Sequence, residues 1–438
     1  MKIALESLGC SKNLVDAEVM LGMLNKQGHQ LVGDCEDSDI VIVNTCGFIE
    51  DAKQESIDSI VRYAEMKNEG IIKYLLVSGC LAQRYPDELL ESIPEIDAIV
   101  GTGSYDKITD IVDGLDPDSK IVEMGDINSS YDPNLPRYIS TPPHLAYLKI
   151  GEGCDNKCTY CIIPKLRGRY RSRSVEELLT EAKKIKESGV KELVVIAQDT
   201  TAYGIDLYDE PMLAKLLEEL AKLDFDWIRV LYSYPEGIDE NLLDVIAKYP
   251  NICSYFDIPM QHASDKILKL MNRKTTKEEL KSKIELIRSK VKDAVIRTTF
   301  IVGFPGETEE DYNELVDFVS EMKFDRMGAF KYSREENTPA DKLPNHIDED
   351  VKKERLDRLM MLQQTISEEV NKKNQDRVLK VLVEDQISPN LYVGRSQYDA
   401  EDIDSVVYIE TEEDIEIGEM VDVKIDVVYE YDLKGHLL

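Results

Sequence analysis

Cys154, Cys158 and Cys161 fall within eight residues, in the stretch YLKIGEGCDNKCTYCIIPKLRGRYRSR from Tyr147 to Arg173. Thiolates are soft donors, so the spacing Cys-x3-Cys-x2-Cys marks a place for a soft metal. A closed zinc or iron site takes four protein ligands; three leave one coordination position for another molecule. A zinc knuckle with a distant fourth ligand, or chance, would also account for the bare spacing. A second set is spread over the first eighty residues: Cys10, Cys46 and Cys80, at separations of 36 and 34 residues, each touching a glycine (Gly9, Gly47, Gly79). Glycine lets the backbone turn closely around a bulky group. Glycines that simply end strands, with small cysteines filling space beside them, are the plainer account. Cys35, in the polar stretch CEDSD, lies outside both sets.

Strand-like apolar runs at 2–8, 39–45, 73–79 and 96–101 are each followed by a helical pattern, at 13–27, 50–67, 85–92 and 104–112. That alternation predicts a parallel sheet covered on both faces. Cys10, Cys46 and Cys80 follow its first three strands, on the carboxyl-end rim where open α/β folds place their sites. Residues 126–143, rich in proline, serine and tyrosine and without a period, read as a linker. The alternation then resumes with strands near 145–150, 191–197, 227–231, 254–258, 295–303 and 327–331, and helices clearest at 175–188, 211–222, 276–290 and 308–322. Six units are too few for an eight-stranded barrel, so an open partial (β/α)6 barrel is expected. A charged helical stretch at about 348–371 closes it. After residue 377 the helical period gives way to alternating β segments, read as a small antiparallel barrel of about five strands. The expected class is an α/β multidomain chain divided at 1–125, 126–143, 144–370 and 371–438.

Polar groups gather at the central strand ends. Gln198 and Asp199 end the second strand; Asp257, Gln261 and His262 attend the fourth; Arg297 lies in the fifth, with Gly303 and Gly306 on the loop after it. A lone histidine is as well explained as a structural donor. Lys165, Arg167, Arg169, Arg171 and Arg173 form a basic run behind the close-set cysteines. They could neutralise carboxylates or clamp another domain, and arginine suits planar bidentate pairing.

The 438 residues carry 53 basic and 86 acidic side chains, a net charge of -33, which disfavours nucleic acid at long range. Residues 371–438 hold seven Lys or Arg against 17 Asp or Glu. Such a module avoids phosphates and attracts a basic partner. No apolar run reaches 18 residues and the start lacks a signal-type pattern, so the cytoplasm is expected, with reduced thiols or metal ligands in place of disulfides.

With Tyr160 before its last cysteine, the Cys-x3-Cys-x2-Cys string resembles the signature of radical S-adenosylmethionine enzymes. SLGCSKNLVDAE, VIVNTCGFIEDAKQES and LLVSGCLAQRYPDEL resemble the N-terminal blocks of the methylthiotransferase branch, and the C-terminal segment resembles its TRAM domain. The resemblance implies two 4Fe-4S clusters. One sits on Cys154, Cys158 and Cys161, its open iron chelating S-adenosyl-L-methionine; the other sits on Cys10, Cys46 and Cys80 and carries sulfur. It also implies that Tyr160, Gln198, Asp199, Asp257, Arg297 and Gly303 surround S-adenosylmethionine, with Gln198 and Asp199 near its amino group and the Arg297–Gly306 segment near adenine and ribose. QDTTAYG, MQHASDKILKLMNR and YSREENTPA resemble the protein-modifying subfamily, which adds a methylthio group to the β-carbon of an aspartate in the small-subunit ribosomal protein numbered twelve. A tRNA adenosine methylthiotransferase is the alternative, and a non-catalytic iron-sulfur or zinc protein binding a ribosomal component is a third. The implied partners are the basic ribosomal protein, free or in the ribosomal subunit, and an electron donor such as flavodoxin or ferredoxin. Neither a membrane nor an oligomer is expected.

Overall fold

The computed structural model describes residues 1–438. Its first sheet contains β1 (Lys2–Ser7), β2 (Gln30–Leu31), β3 (Ile40–Thr45), β4 (Tyr74–Gly79), β5 (Ala98–Gly103) and β6 (Ile121–Gly125), all parallel, in the order β2-β1-β3-β4-β5-β6. Every residue of β3, IVIVNT, is buried, as a central parallel strand with both faces covered requires. Helix Glu50–Asn68 covers one face through Ile60 and Tyr63, and helix Ser11–Lys26 the other through Ala17, Met20 and Leu24. The sheet has two more strands than its sequence pattern announces. β2 is two residues long, and no position of β6, IVEMG, is fully buried, so neither leaves a clear apolar run.

The segment after β6 is pinned by Arg137, which donates to Glu18 at 2.6 Å and to Glu181 at 2.7 Å. One carboxylate comes from the first helix and the other from the helix Val175–Glu187, so the connection is held by both units it joins.

The central unit contains β7 (Leu145–Lys149), β8 (Gly151–Glu152), β9 (Arg171–Ser172), β10 (Glu192–Ile196), β11 (Trp227–Val230), β12 (Tyr255–Gln261), β13 (Val295–Val302) and β14 (Arg326–Lys331). β7-β10-β11 and β12-β13-β14 are parallel three-stranded sheets. They meet where Ile228 bridges Ile252 and the Ser233 N–H donates to the Asp257 carbonyl at 2.9 Å. The result is the open six-stranded arc expected from the strand count. β8 and β9 form a short antiparallel ribbon that brackets the close-set cysteines. Three helices start with complete capping boxes, Ser174 with Glu177, Thr276 with Glu279 and Thr308 with Asp311, which satisfy amide donors that the helix itself leaves open.

Helix Glu349–Asn371 leads into β15 (Val378–Ser388), β16 (Leu391–Ser396), β17 (Val407–Glu410), β18 (Met420–Val428) and β19 (Leu433–Leu437), a closed barrel in the order β15-β16-β17-β19-β18. Four of its pairings are antiparallel, but β17 and β19 run parallel. The barrel closes one end of the arc. Leu382 and Ala400 share an apolar cluster with Val15 of the first helix and with Leu145, Val194, Trp227, Tyr255 and Val295 of the arc. Around that cluster Glu192 receives Arg229 at 2.6 Å and Arg395 at 2.7 Å, tying β10 to β11 and to the barrel.

Candidate active site

Cys10, Cys46 and Cys80 follow the carboxyl ends of β1, β3 and β4 on neighbouring connections: Cys10 precedes helix Ser11–Lys26, Cys46 lies on a loop, and Cys80 opens the short helix Cys80–Arg84. Asn13 locks two of these loops: its amide donates to the Leu8 carbonyl at 2.9 Å, and its own carbonyl accepts from the Asn44 amide at 2.7 Å. The loops are pressed together where the glycines stand. A Cβ on Gly9 would lie 2.6 Å from Cys46 Cβ and 2.9 Å from its Sγ, and one on Gly47 would lie 2.9 Å from the Cys80 carbonyl carbon. Gly9 and Gly79 also have φ of +85° and +91°, where a side chain is strained. Burial first, then the neighbouring Cys10 and Cys80, push the Cys46 thiol up to about 12, and burial likewise raises Cys80. Thiols such as Cys46 and Cys80, which resist ionising when bare, become good ligands when a cationic metal group meets them.

Cys154, Cys158 and Cys161 occupy the loop that leaves β8. Gly153, at φ +79°, approaches the Arg169 carbonyl so closely that any side chain would collide with it. Farther along, the Thr159 N–H donates to the Met271 carbonyl at 3.0 Å, and the Thr159 carbonyl accepts from Ala340 at 2.9 Å. Burial pushes Cys154 up to about 11, with Asp199 and Cys158 adding to it; Cys161 is raised by burial and then by Cys158 and Cys154. Cys158 Sγ lies 3.5 Å from the Tyr234 hydroxyl and 4.0 Å from Arg273, whose guanidinium stacks over the Tyr234 ring at 4.2 Å. Neither set converges in the geometry of a single-ion site. Each fits a larger inorganic group in its donor chemistry: three soft thiols on glycine-relieved loops.

The other expected site residues divide. Asp199 faces the close-set cysteines and accepts from Asn156 at 2.7 Å and from the Thr201 N–H and hydroxyl at 3.0 and 2.7 Å; burial raises its carboxyl despite those donors. Gln198 donates to Glu152 at 2.6 Å, and its own Oε1 is buried without a partner. Tyr160 packs edge-on against Phe304 with ring centres 6.5 Å apart. Asp257 receives the Tyr232 N–H at 2.9 Å and Arg297 at 3.0 Å, while Arg297 also lies 3.4 Å from Asp404 of the C-terminal unit. Those two therefore stand in an ion-pair network beside the C-terminal barrel. Gly303 donates its N–H to Glu307 at 2.9 Å, and Lys352 fills the space where a side chain would begin. His262 is fully buried, accepts the Ser264 N–H at 2.9 Å and lies 3.3 Å from Glu307, the arrangement of a structural histidine.

Sequence reasoning passed over Asn156, Glu152, Tyr234, Arg273 and Asp16. Asn156 sits inside the cysteine motif and was open to notice. Glu152, two residues before Cys154, and Asp16, six after Cys10, also stood within the cysteine-bearing strings, whereas Tyr234 and Arg273 are brought to the cysteines only by the fold. Of the basic run, Lys165 donates to the Asn337 carbonyl at 2.8 Å and Arg173 pairs with Glu181 at 2.6 Å. Arg167 crosses to the N-terminal unit, where it meets Asp16 and donates to Asn13 at 2.9 Å. A cavity of about 310 Å³ opens beside it, lined by Tyr105, Tyr131, Lys149, Glu152, Arg171 and Ser172 among others.

Three family models match the chain: the Radical SAM superfamily over residues 148–319, the TRAM domain over 377–438, and the Uncharacterized protein family UPF0004 over 2–101. The ribosomal protein uS12 methylthiotransferase RimO of Clostridioides difficile (strain 630) is 64% identical over 439 residues, spanning 100% of this chain and 99% of that one. The chain belongs to the RimO family. The RimO of Caldicellulosiruptor saccharolyticus is 46% identical over 441 residues and 100% of both chains, so the family likeness includes all three units. Family membership brings with it an iron-sulfur group and S-adenosylmethionine as cofactors. Among solved structures, the radical S-adenosylmethionine methyltransferase TsrM from Kitasatospora setae superposes with a TM-score of 0.57 at 15% identity, covering 77% of this chain and 73% of that one; the likeness is one of fold.

Proposed function

We propose that this chain is a methylthiotransferase that modifies an aspartate of ribosomal protein uS12 at its β-carbon. The observation that carries the reading is the 64% identity, end to end, with a uS12 methylthiotransferase. The acidic C-terminal barrel supports the same substrate over tRNA, because opposite charge speeds and orients the approach of a basic ribosomal protein.

In this reading Cys154, Cys158 and Cys161 hold one 4Fe-4S cluster, and Cys10, Cys46 and Cys80 a second. When bound, the clusters and S-adenosylmethionine supply electron transfer, a radical able to break an unactivated C–H bond, and the methylthio sulfur. The chain's own residues bind and orient. Asp199, held by Asn156 and Thr201, is an acceptor poised for an ammonium group. The buried, unpartnered Oε1 of Gln198 is a second acceptor beside it. Tyr160 and Phe304 form an apolar wall that helps keep water from the centre. Asp257, Arg297 and Gly303 hold their shape from behind: the first two brace the strands against the C-terminal unit, and the glycine lets the closing helix pack down. We assign divisions at 1–125, 126–143, 144–370 and 371–438, a monomeric state, a cytoplasmic location and an electron donor of the flavodoxin or ferredoxin kind to the same reading. No helix is long and apolar enough to cross a membrane.

The test is anaerobic turnover by cluster-reconstituted protein with S-adenosylmethionine, reductant and sulfide, offered small ribosomal subunits or total tRNA, and read by mass spectrometry. A methylthio mass gain on one uS12 aspartate peptide, absent when Cys10, Cys46 and Cys80 are replaced by alanine, is the expected result. Methylthio-adenosine with unmodified uS12 would overturn the substrate.

A further inference from the structure

Arg167 ends the short helix Ile163–Arg167 behind Cys161, yet its guanidinium finishes in the N-terminal unit. Only 3% of the residue is exposed. Its Nη2 donates to Asn13 Oδ1 at 2.9 Å and stands 3.5 Å from Cys80 Sγ, within N–H···S hydrogen-bonding reach. Its Nη1 meets Asp16 and lies 3.1 Å from Glu152. The planar fork of arginine is what allows one side chain to satisfy acceptors from both units at once.

Lys149 reaches the same two carboxylates, Asp16 and Glu152. Two cations facing two anions make the block formally neutral. Within this neutral block Cys80 receives the N–H of one guanidinium at close range. From Glu152 the contacts continue to Gln198 at 2.6 Å. One chain of polar contacts thus runs from a thiol of the N-terminal set to the residue beside Asp199.

We propose that Arg167 is a positioning residue that couples the two cysteine sets: it fixes Cys80, at the start of its short helix, against the central arc and, by donating to Cys80 Sγ, raises the reduction potential of the N-terminal iron-sulfur group. This rests on the reading that Cys10, Cys46 and Cys80 hold such a group. A hydrogen bond to a ligating sulfur stabilises the more negative, reduced state, and its loss makes reduction harder.

The experiment uses the full chain with Cys154, Cys158 and Cys161 replaced by alanine, reconstituted anaerobically so that any cluster signal comes from the N-terminal set. Iron and sulfide are counted per chain, and electron paramagnetic resonance of samples poised at stepped potentials gives the midpoint. Arg167→Gln should move the midpoint to a more negative potential by more than replicate measurements differ. Arg167→Lys, which keeps the charge but loses the fork, should fall between the two. If Arg167→Gln retains no cluster, Arg167→Lys is read in its place with the same direction expected. An unchanged midpoint in a variant that retains its iron overturns the role of Arg167 alone. Absence of iron in the parent protein overturns the N-terminal cluster itself, and the inference with it.

Discussion

Arg84 Nη1 and Glu335 Oε2 lie 2.7 Å apart, joining a helix at the rim of the first sheet to the loop that follows the last strand of the arc. Lys53 reaches the same carboxylate oxygen at 3.1 Å, and Ser333 holds the other at 2.6 Å. The two units are thus latched across the site by one buried acid with three donors. Replacing Glu335 by Gln weakens two charge-assisted contacts and should cost about 1.5–3 kcal/mol. The urea midpoint checks this, and a midpoint that does not move would mean the latch contributes nothing to stability.

Glu192 is the hub at the other end of the arc. Burial would raise its carboxyl, but Arg229 and Arg395 override that and hold it at about 2. Its folded value is below the unfolded one near 4.5, so the stabilisation is complete above about pH 4.5 and is lost as pH falls toward 2. Glu192→Gln leaves the buried Arg229 guanidinium without a counter-charge, while Arg395 keeps Glu384 at 2.7 Å, and a loss of about 3–5 kcal/mol is expected at neutral pH. Chemical denaturation at pH 7 and pH 3 should show the variant's deficit shrinking at the lower pH.

Glu401 has the opposite sign. Burial pushes its carboxyl up to about 7, with its 3.2 Å contact to the Tyr147 hydroxyl only partly compensating. Below about pH 4.5 both folded and unfolded forms are protonated and nothing is lost; between 4.5 and 7 the unfolded chain ionises first, so stability declines as pH rises. Glu401→Gln should therefore melt at a higher temperature than the parent at pH 8 and at the same temperature at pH 4. A gain at both pH values would show that the carboxylate's charge is not the cause.

Gly9→Ala tests the crowding of the N-terminal loops. The positive φ alone costs roughly 1–2 kcal/mol for a residue with a Cβ. The added carbon also overlaps Cys46 Cβ, at 2.6 Å. The variant should bind less iron in a protein whose central cysteines are already alanine, and keep full iron when the N-terminal cysteines are the ones replaced. Equal loss in both backgrounds would point to general unfolding.

The six strands of the arc were readable because each is an apolar run between amphipathic helices; the N-terminal cysteines stood out because their spacing repeats the strand-helix unit, and the central ones because they are crowded into eight residues. What escaped was assembled by contacts between distant segments. Nothing in the sequence near Arg167 says that it will meet Asn13 and Asp16, since those contacts span more than 150 residues. Asp257 and Arg297 were correctly seen as polar groups inside strands, but their shared link to Asp404 depends on where the C-terminal barrel docks. Gly303 carried a signal of close approach; that its neighbour in the fold is Lys352 is information the local string does not contain.

The apolar cluster that seals the end of the arc takes Val15 from the beginning of the chain and Leu382 and Ala400 from near its end. A ribosome must therefore deliver almost the whole polypeptide before this interior can be shut, although all six cysteines of the two sets have emerged more than two hundred residues earlier. During that interval the nascent arc exposes Trp227, Tyr255 and their neighbours to water. Removing the C-terminal barrel would recreate that unfinished state permanently, so the truncated chain should aggregate and not merely lose a recognition module.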